Sequence, residues 1–158
     1  MNKSYLEEEY RRMHQKGAFT GGSLAKHVDE IKKLVSDHDV KTLLDYGCGK
    51  AKCHNEKLAS SVTLYDPYCE PYTTHPEGTF DMVICTDVLE HVPEDEVGPL
   101  LHKLMHLADK VLFLAISTRP ARKTFTNGEN VHVTVRPKEW WEGMLETMRD
   151  IKIVRHYS

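Results

Sequence analysis

Long hydrophobic runs are missing from this chain of 158 residues. No stretch approaches the roughly 20 apolar residues that a membrane-spanning helix needs, and the opening Met1-Asn2-Lys3-Ser4-Tyr5-Leu6 has no apolar signal core. The expectation is a cytoplasmic domain with no membrane partner. Cysteine is sparse: Cys48, Cys53, Cys69 and Cys85 include no Cys-x-x-Cys pair, which argues for reduced thiols rather than a zinc ribbon or a disulfide framework. A strong charge of one sign is also lacking. The formal net charge of -3 gives no global field to attract nucleic acid. The only basic cluster is Arg119, Arg122 and Lys123, so a nucleic-acid partner is disfavoured without being forbidden. Internal repeats and low-complexity tracts are absent. What remains is an ordinary globular composition, long enough for one domain with a sizeable core, read as residues 1–158.

The segment around which the rest is organised runs from Lys41 to Lys52. Thr42, Leu43 and Leu44 form a short apolar run of the kind that makes a strand buried on both faces. It ends in Asp45, followed by Gly47 and Gly49. Glycines there permit a sharp turn and let a ligand approach bare backbone. Lys50 to Ser60 is expected to be helical, with its first amides facing the loop. A dinucleotide fingerprint would require a third glycine at the position of Lys52, and no Gly-Lys-Ser/Thr phosphate loop follows either. Val62 to Tyr65 is a second strand, ending in Asp66. Two roles fit that carboxylate: capping the turn before Pro67, or accepting both hydroxyl protons of a ribose, which the glycine loop upstream favours. Phe80 to Cys85 is a further buried strand, running into Thr86-Asp87-Val88-Leu89-Glu90-His91-Val92-Pro93.

Asp45-x-Gly47-x-Gly49-x-Ala51 closely resembles the first motif of the class I S-adenosylmethionine-dependent methyltransferases. The block from Phe80 to Pro93, with its Leu89-Glu90-His91 ending, resembles the fourth motif of the small-molecule members. The resemblance covers residues 41–117 and implies an α/β, Rossmann-like fold with S-adenosylmethionine as cofactor. It implies Asp45, Gly47, Gly49 and Asp66 as cofactor contacts, with Cys85, Thr86 and Asp87 lining the methionine end. Pro67 to Thr79 is too short for the helix and third strand usual in that family, and the chain stops after one strand beyond the last helix. The expected sheet is therefore trimmed, mostly parallel and flanked by helices. Asp66-Pro67-Tyr68 also resembles the Asp-Pro-Pro-Tyr box of methyltransferases acting on nucleic-acid bases, but it follows the wrong strand for that role.

The flanks are read from periodicity. Tyr5, Leu6, Tyr10 and Met13 form one helical stripe, broken by Gly17 and Gly21-Gly22. Ser23 is placed to cap a second helix carrying Leu24, Val28, Ile31, Leu34 and Val35. Residues 1–40 are thus a helical layer packed at the sheet edge or, as the resemblance favours, a lid placing Tyr10, His14 and Phe19 over the ligand of a core spanning 41–158. Pro93 and Glu94-Asp95-Glu96 open a helix buried through Leu100, Leu101, Leu104, Leu107 and Ala108. Val111 to Ile116 is a strand, and Asn127-Gly128 marks a hairpin tip in the polar loop from Ser117 to Arg136. Pro137 opens a last helix whose Trp140, Trp141, Met144, Leu145 and Met148 are read as core. Ile151 to Tyr157 closes the sheet, and pairing of two chains through an exposed sheet edge stays open.

Methyl transfer from a sulfonium is an in-line displacement, so the protein chiefly aligns the reactants and, for a protonated acceptor, removes a proton. His91, with an ordinary pKa of about 6.5, and His132 are the candidates for contact with the acceptor, each with a purely structural alternative. Asp87-x-x-Glu90-His91 also resembles the Glu-x-x-Glu-His metal motif of some O-methyltransferases, with His132 as a fourth ligand and Asp in place of the first Glu. That resemblance implies a divalent metal holding the acceptor; metal-free relatives carry Leu-Glu-His as well. The expected activity is methyl transfer to a small molecule or metabolite. The alternatives are a nucleic-acid acceptor, or a module that binds S-adenosylmethionine or another nucleotide without turnover.

Overall fold

A computed structural model describes residues 2–54, 57–146 and 151–158 of the chain. Five strands make one sheet in the order β2-β1-β3-β4-β5: β1 (Thr42–Tyr46), β2 (Ser61–Tyr65), β3 (Phe80–Thr86), β4 (Ala108–Ile116) and β5 (Lys152–Tyr157). Every pairing is parallel, so the trimmed sheet expected from the sequence is present.

Buried parallel strands need apolar residues on both faces, and the side chains divide between the faces with a period of two. Leu44, Val83, Cys85, Leu112, Leu114 and Ile116 face one layer, made by α3 (Glu94–Leu107) and α4 (Lys138–Leu145). Leu43, Met82, Ile84, Val111, Phe113 and Ala115 face the other, covered by α2 (Val28–Asp37) through Ile31 and Leu34. Trp141 is fully buried and donates its indole N–H to the Arg136 carbonyl, which confirms it as core; Met148 lies outside the described residues.

A third apolar cluster holds the N-terminal helix α1 (Lys3–Gln15). Leu6, Tyr10 and Met13 pack on Phe125 and Val131 of the loop after β4. Glu9 anchors the same contact, accepting two hydrogen bonds from Arg12 and one from the Thr126 amide. The loop is held in shape by the tight turn at Asn127-Gly128, where Gly128 has φ +85° and Thr124 bridges Asn130 in antiparallel fashion. No described helix is long and apolar enough to cross a membrane.

Several local expectations fail: Ala108, expected on the buried face of the helix opened by Pro93, is the first residue of β4, and two segments take another course. The segment from Lys50 to Ser60 forms turns rather than a helix over its described residues, Asn55 and Glu56 lying outside them. Ala51 has φ +50°, which a right-handed helix excludes, and the amides of Lys50 and Lys52 donate to the carbonyls of Phe19 and Thr20. The N-terminal segment has taken the donors that a helix would have aimed at a ligand. Ser23, for its part, caps nothing: it sits in a 3-10 turn (Gly22–Lys26), and α2 begins five residues later, after His27.

Candidate active site

In a parallel sheet a crevice opens beyond the carboxyl ends of the strands where the strand order reverses, because the loops leaving there diverge to opposite faces. Here that point lies between β1, which leads outward to β2, and β3, which leads to β4 and β5. A cleft of about 960 Å³ opens at this point, with the glycine loop after β1 and Asp87 after β3 on its walls and Tyr10, His14 and Phe19 closing it from the N-terminal side.

The glycine loop shows why side chains are excluded. Gly47 has φ +84°, and a Cβ there would stand 2.3 Å from Cγ2 of Val88. Gly49 has φ +54°, and a Cβ would meet Gly21 N and Phe19 O at 3.0 Å. The close approach at Gly49 is thus made by the chain's own N-terminal segment, where the sequence suggested a ligand. Gly21 completes the fit, since a Cβ there would lie 2.4 Å from the Cys48 carbonyl oxygen.

Two carboxylates end the first two strands. Asp45 is buried; its Oδ2 lies 2.7 Å from His54 Nε2, while Oδ1 is buried without a hydrogen-bond partner. Burial raises its pKa, and the hydrogen bond from His54 counters that. An unpartnered acceptor on the wall of a cleft is costly unless a ligand donates to it, so the chemistry suits a cationic ammonium. Asp66 accepts from the Gly49 amide at 3.0 Å through Oδ2 and from the Tyr68 amide at 2.9 Å through Oδ1. Each oxygen retains a lone pair, so the carboxylate both caps its turn and is able to accept from a diol. His14 Nε2 stands 3.6 Å from Asp66 Oδ1, and burial lowers the imidazole's pKa against the pull of that carboxylate.

Beyond β3 the chain turns abruptly. Asp87 has φ +52°; its amide donates to the Ala115 carbonyl and its Oδ2 accepts from the Ser23 hydroxyl at 2.6 Å. Glu90 follows in a short 3-10 turn (Leu89–His91) and is fully buried. Its Oε1 accepts from the Ser117 amide at 3.1 Å, Oε2 has no partner, and burial pushes its pKa up to about 8. His91 Nδ1 donates to the Val131 carbonyl at 2.9 Å, and His132 Nδ1 donates to the Arg119 carbonyl at 2.6 Å. In the neutral His91 ring this leaves Nε2 as the bare lone pair. Burial, and next the neighbouring His132, push His91 down to about 3, so it is neutral rather than poised near 7 as its ordinary value would suggest. The two rings meet edge to face at 4.8 Å.

Glu90, His91 and His132 offer ligand atoms that all lie within 4.8 Å of one another, a carboxylate and two imidazoles oriented by backbone carbonyls. The orphaned Glu90 Oε2 fits a cation there. Asp87, the remaining member of the sequence-derived set, is hydrogen-bonded to Ser23 and stands outside this group.

Of the expected cofactor contacts, Asp45, Gly47, Gly49, Asp66, Thr86 and Asp87 line the cleft together, as do His91 and His132. Cys85 does not. It is fully buried in the core under α3 and α4, because the period of two turns it to the helix layer while Thr86 reaches the cleft. Sequence reasoning missed His54 as the partner of Asp45 and Ser23 as the partner of Asp87. Neither pairing leaves a sequence signal, since each depends on how irregular segments fold back.

A profile of the methyltransferase-domain family matches residues 12–147. No curated protein and no solved structure matches the chain.

Proposed function

The chain belongs to the methyltransferase-domain family, as a class I methyltransferase dependent on S-adenosylmethionine, and from that premise we propose that its acceptor is a small molecule bound beside His91 and His132. The observation that carries the reading is the convergence on one cleft of Asp45, with its free buried acceptor, Asp66, and the His91–His132 pair. Bound S-adenosylmethionine supplies a sulfonium whose methyl is already electrophilic.

The chain's own residues do the rest. Asp45 Oδ1 accepts from the ammonium of the methionine moiety, with His54 fixing the carboxylate's orientation. Asp66 receives the ribose hydroxyls on its remaining lone pairs. Thr86 and Asp87, at the end of β3, border the reacting region, and Ser23 holds Asp87 in its strained conformation. α1 and the segment after it act as a lid that excludes water, with the Tyr10 hydroxyl 2.9 Å from the carbonyls of both His91 and Val131. Nε2 of His91, held neutral by burial, accepts a hydrogen bond from the acceptor, and His132 beside it helps to orient the nucleophile.

A small acceptor is favoured over nucleic acid by the net charge of -3 and by the use made of one member of the basic cluster. Lys123 donates to the Ala18 carbonyl and lies over the Phe19 ring, so its charge braces the lid. A second reading, favoured by the gathering of Glu90, His91 and His132, has those three residues hold a divalent metal. Such an ion would fix an acceptor oxygen as a Lewis acid.

Calorimetric titration with S-adenosylmethionine and with its demethylated product tests the central claim. Micromolar binding is expected, weakened at least about tenfold in Asp66→Ala, the loss of one charge-assisted contact. Absence of binding by both compounds refutes the reading, and unchanged affinity in the variant removes Asp66 from it. Activity unaffected by chelation and by added divalent ions dismisses the metal.

A further inference from the structure

A second cluster of metal-ligating groups lies outside the cleft. His27 immediately precedes α2, Glu30 stands in its first turn, and His156 belongs to β5 at the sheet edge. One turn of helix separates His27 from Glu30, which sets both on the same side of α2. Their ligand atoms and that of His156 all lie within 4.8 Å of one another. Each of the three residues is partly open to solvent, so an ion has a way in.

Three features distinguish this arrangement from an ordinary surface ion pair. His156 Nε2 lies 2.8 Å from Glu30 Oε2 yet is buried without a hydrogen bond, so the two atoms are close but misaligned. A pair of this kind needs one imidazole, and here there are two, their ring centres 4.8 Å apart. Both rings also rest on one aromatic floor, with Phe113 at 5.3 Å from His27 and 5.2 Å from His156, which fixes their orientation. Rings held in place beside a carboxylate lose little freedom when an ion binds.

We propose that His27, Glu30 and His156 form a binding site for a divalent transition ion of the zinc type, cross-linking the start of α2 to the last strand. Two imidazoles and one carboxylate are a donor set such ions accept, with water in the fourth position. Bonds of about 2.0–2.2 Å in a tetrahedron require donors about 3.4 Å apart, so the ligand atoms need move together by no more than roughly 1.5 Å. The ion ties residue 27 to residue 156, closing a loop through almost the whole chain. It also braces the turn that carries Ser23, four residues before His27, against Asp87.

The site is independent of the Glu90 cluster, and the experiment separates them. Zinc bound per chain is counted by equilibrium dialysis for the full chain and for His27→Ala, Glu30→Gln and His156→Gln, each with His132 intact and in a His132→Ala background. Each of the three variants is expected to lose one equivalent of zinc in both backgrounds. In the His132→Ala background the zinc-dependent rise in Tm, roughly 5–10 °C at a hundredfold excess over Kd, is expected to vanish with it. Glu30→Gln preserves shape and volume, so its loss of zinc reports ligation rather than misfolding. Zinc stoichiometry equal to that of the parent in the three variants overturns the proposal, as does a parent chain that binds no zinc at neutral pH.

Discussion

Replacement of Glu90 by Gln tests the site's electrostatics most directly, because the effect has a sign and a pH window. Glu90 is fully buried, and its pKa rises from 4.5 to about 8, chiefly through burial with Asp87 adding to it. A carboxyl raised in the folded state binds a proton that the unfolded chain has released, so stability falls as pH rises between the two values. His91, lowered from 6.5 to about 3, acts oppositely: the folded chain holds it neutral, and stability rises with pH until 6.5. His14 and His27, also lowered, have the same sign. Below pH 6.5 the histidines offset Glu90; above it their contribution is complete, and the fall up to the folded pKa of Glu90 comes from Glu90, with the buried Asp45, also raised, acting in the same direction. Over those ~1.5 pH units, at about 1.4 kcal/mol per unit, the loss is about 2 kcal/mol, or roughly 4–8 °C in Tm. The amide introduced by Glu90→Gln keeps an acceptor for the Ser117 N–H and cannot ionise. Melting curves from pH 6.5 to 8.5, recorded with a chelator, are therefore expected to fall more steeply for the parent than for the variant, by that amount. Parallel curves would refute the assignment of the buried charge to Glu90.

Three further perturbations follow from the geometry. Tyr10→Phe removes the donor shared by the carbonyls of His91 and Val131 and is expected to cost about 1–3 kcal/mol, read from urea unfolding; a smaller effect would mean that water replaces the hydroxyl. Gly47→Ala forces a Cβ into Val88 at φ +84° and is expected to cost about 2 kcal/mol or more, with a Tm drop of at least ~4 °C; an unchanged Tm would contradict the loop geometry. Ser23→Ala releases Asp87 and with it the segment from Lys16 to Gly22. Tryptic cleavage after Lys16 is expected to accelerate about tenfold, and an unchanged rate would show that the glycine contacts alone hold the segment.

Local patterning was enough to specify the strands, the glycine turn and the acids at the strand ends. Leu43-Leu44, Phe80 to Cys85 and Val111 to Ile116 are short apolar runs whose burial on both faces leaves few alternatives to a parallel sheet. Gly47 and Asp66 were legible because turn chemistry and strand length confine them to one end of that sheet. The helical stripe of α1 and the buried face of α3 were legible for the same local reason, a period of 3.6 residues. How irregular segments share backbone donors, by contrast, emerges only on folding. Lys50 and Lys52 donate to Phe19 and Thr20, so the turn after Gly49 does not become a helix. Ser23 reaches Asp87 across 64 residues instead of capping α2. The side toward which Cys85 points and the charge state of Glu90 and His91 likewise depend on neighbours remote in the chain. Propensity and periodicity act over a few residues, whereas desolvation and hydrogen-bond competition are set by whatever the folded chain brings alongside.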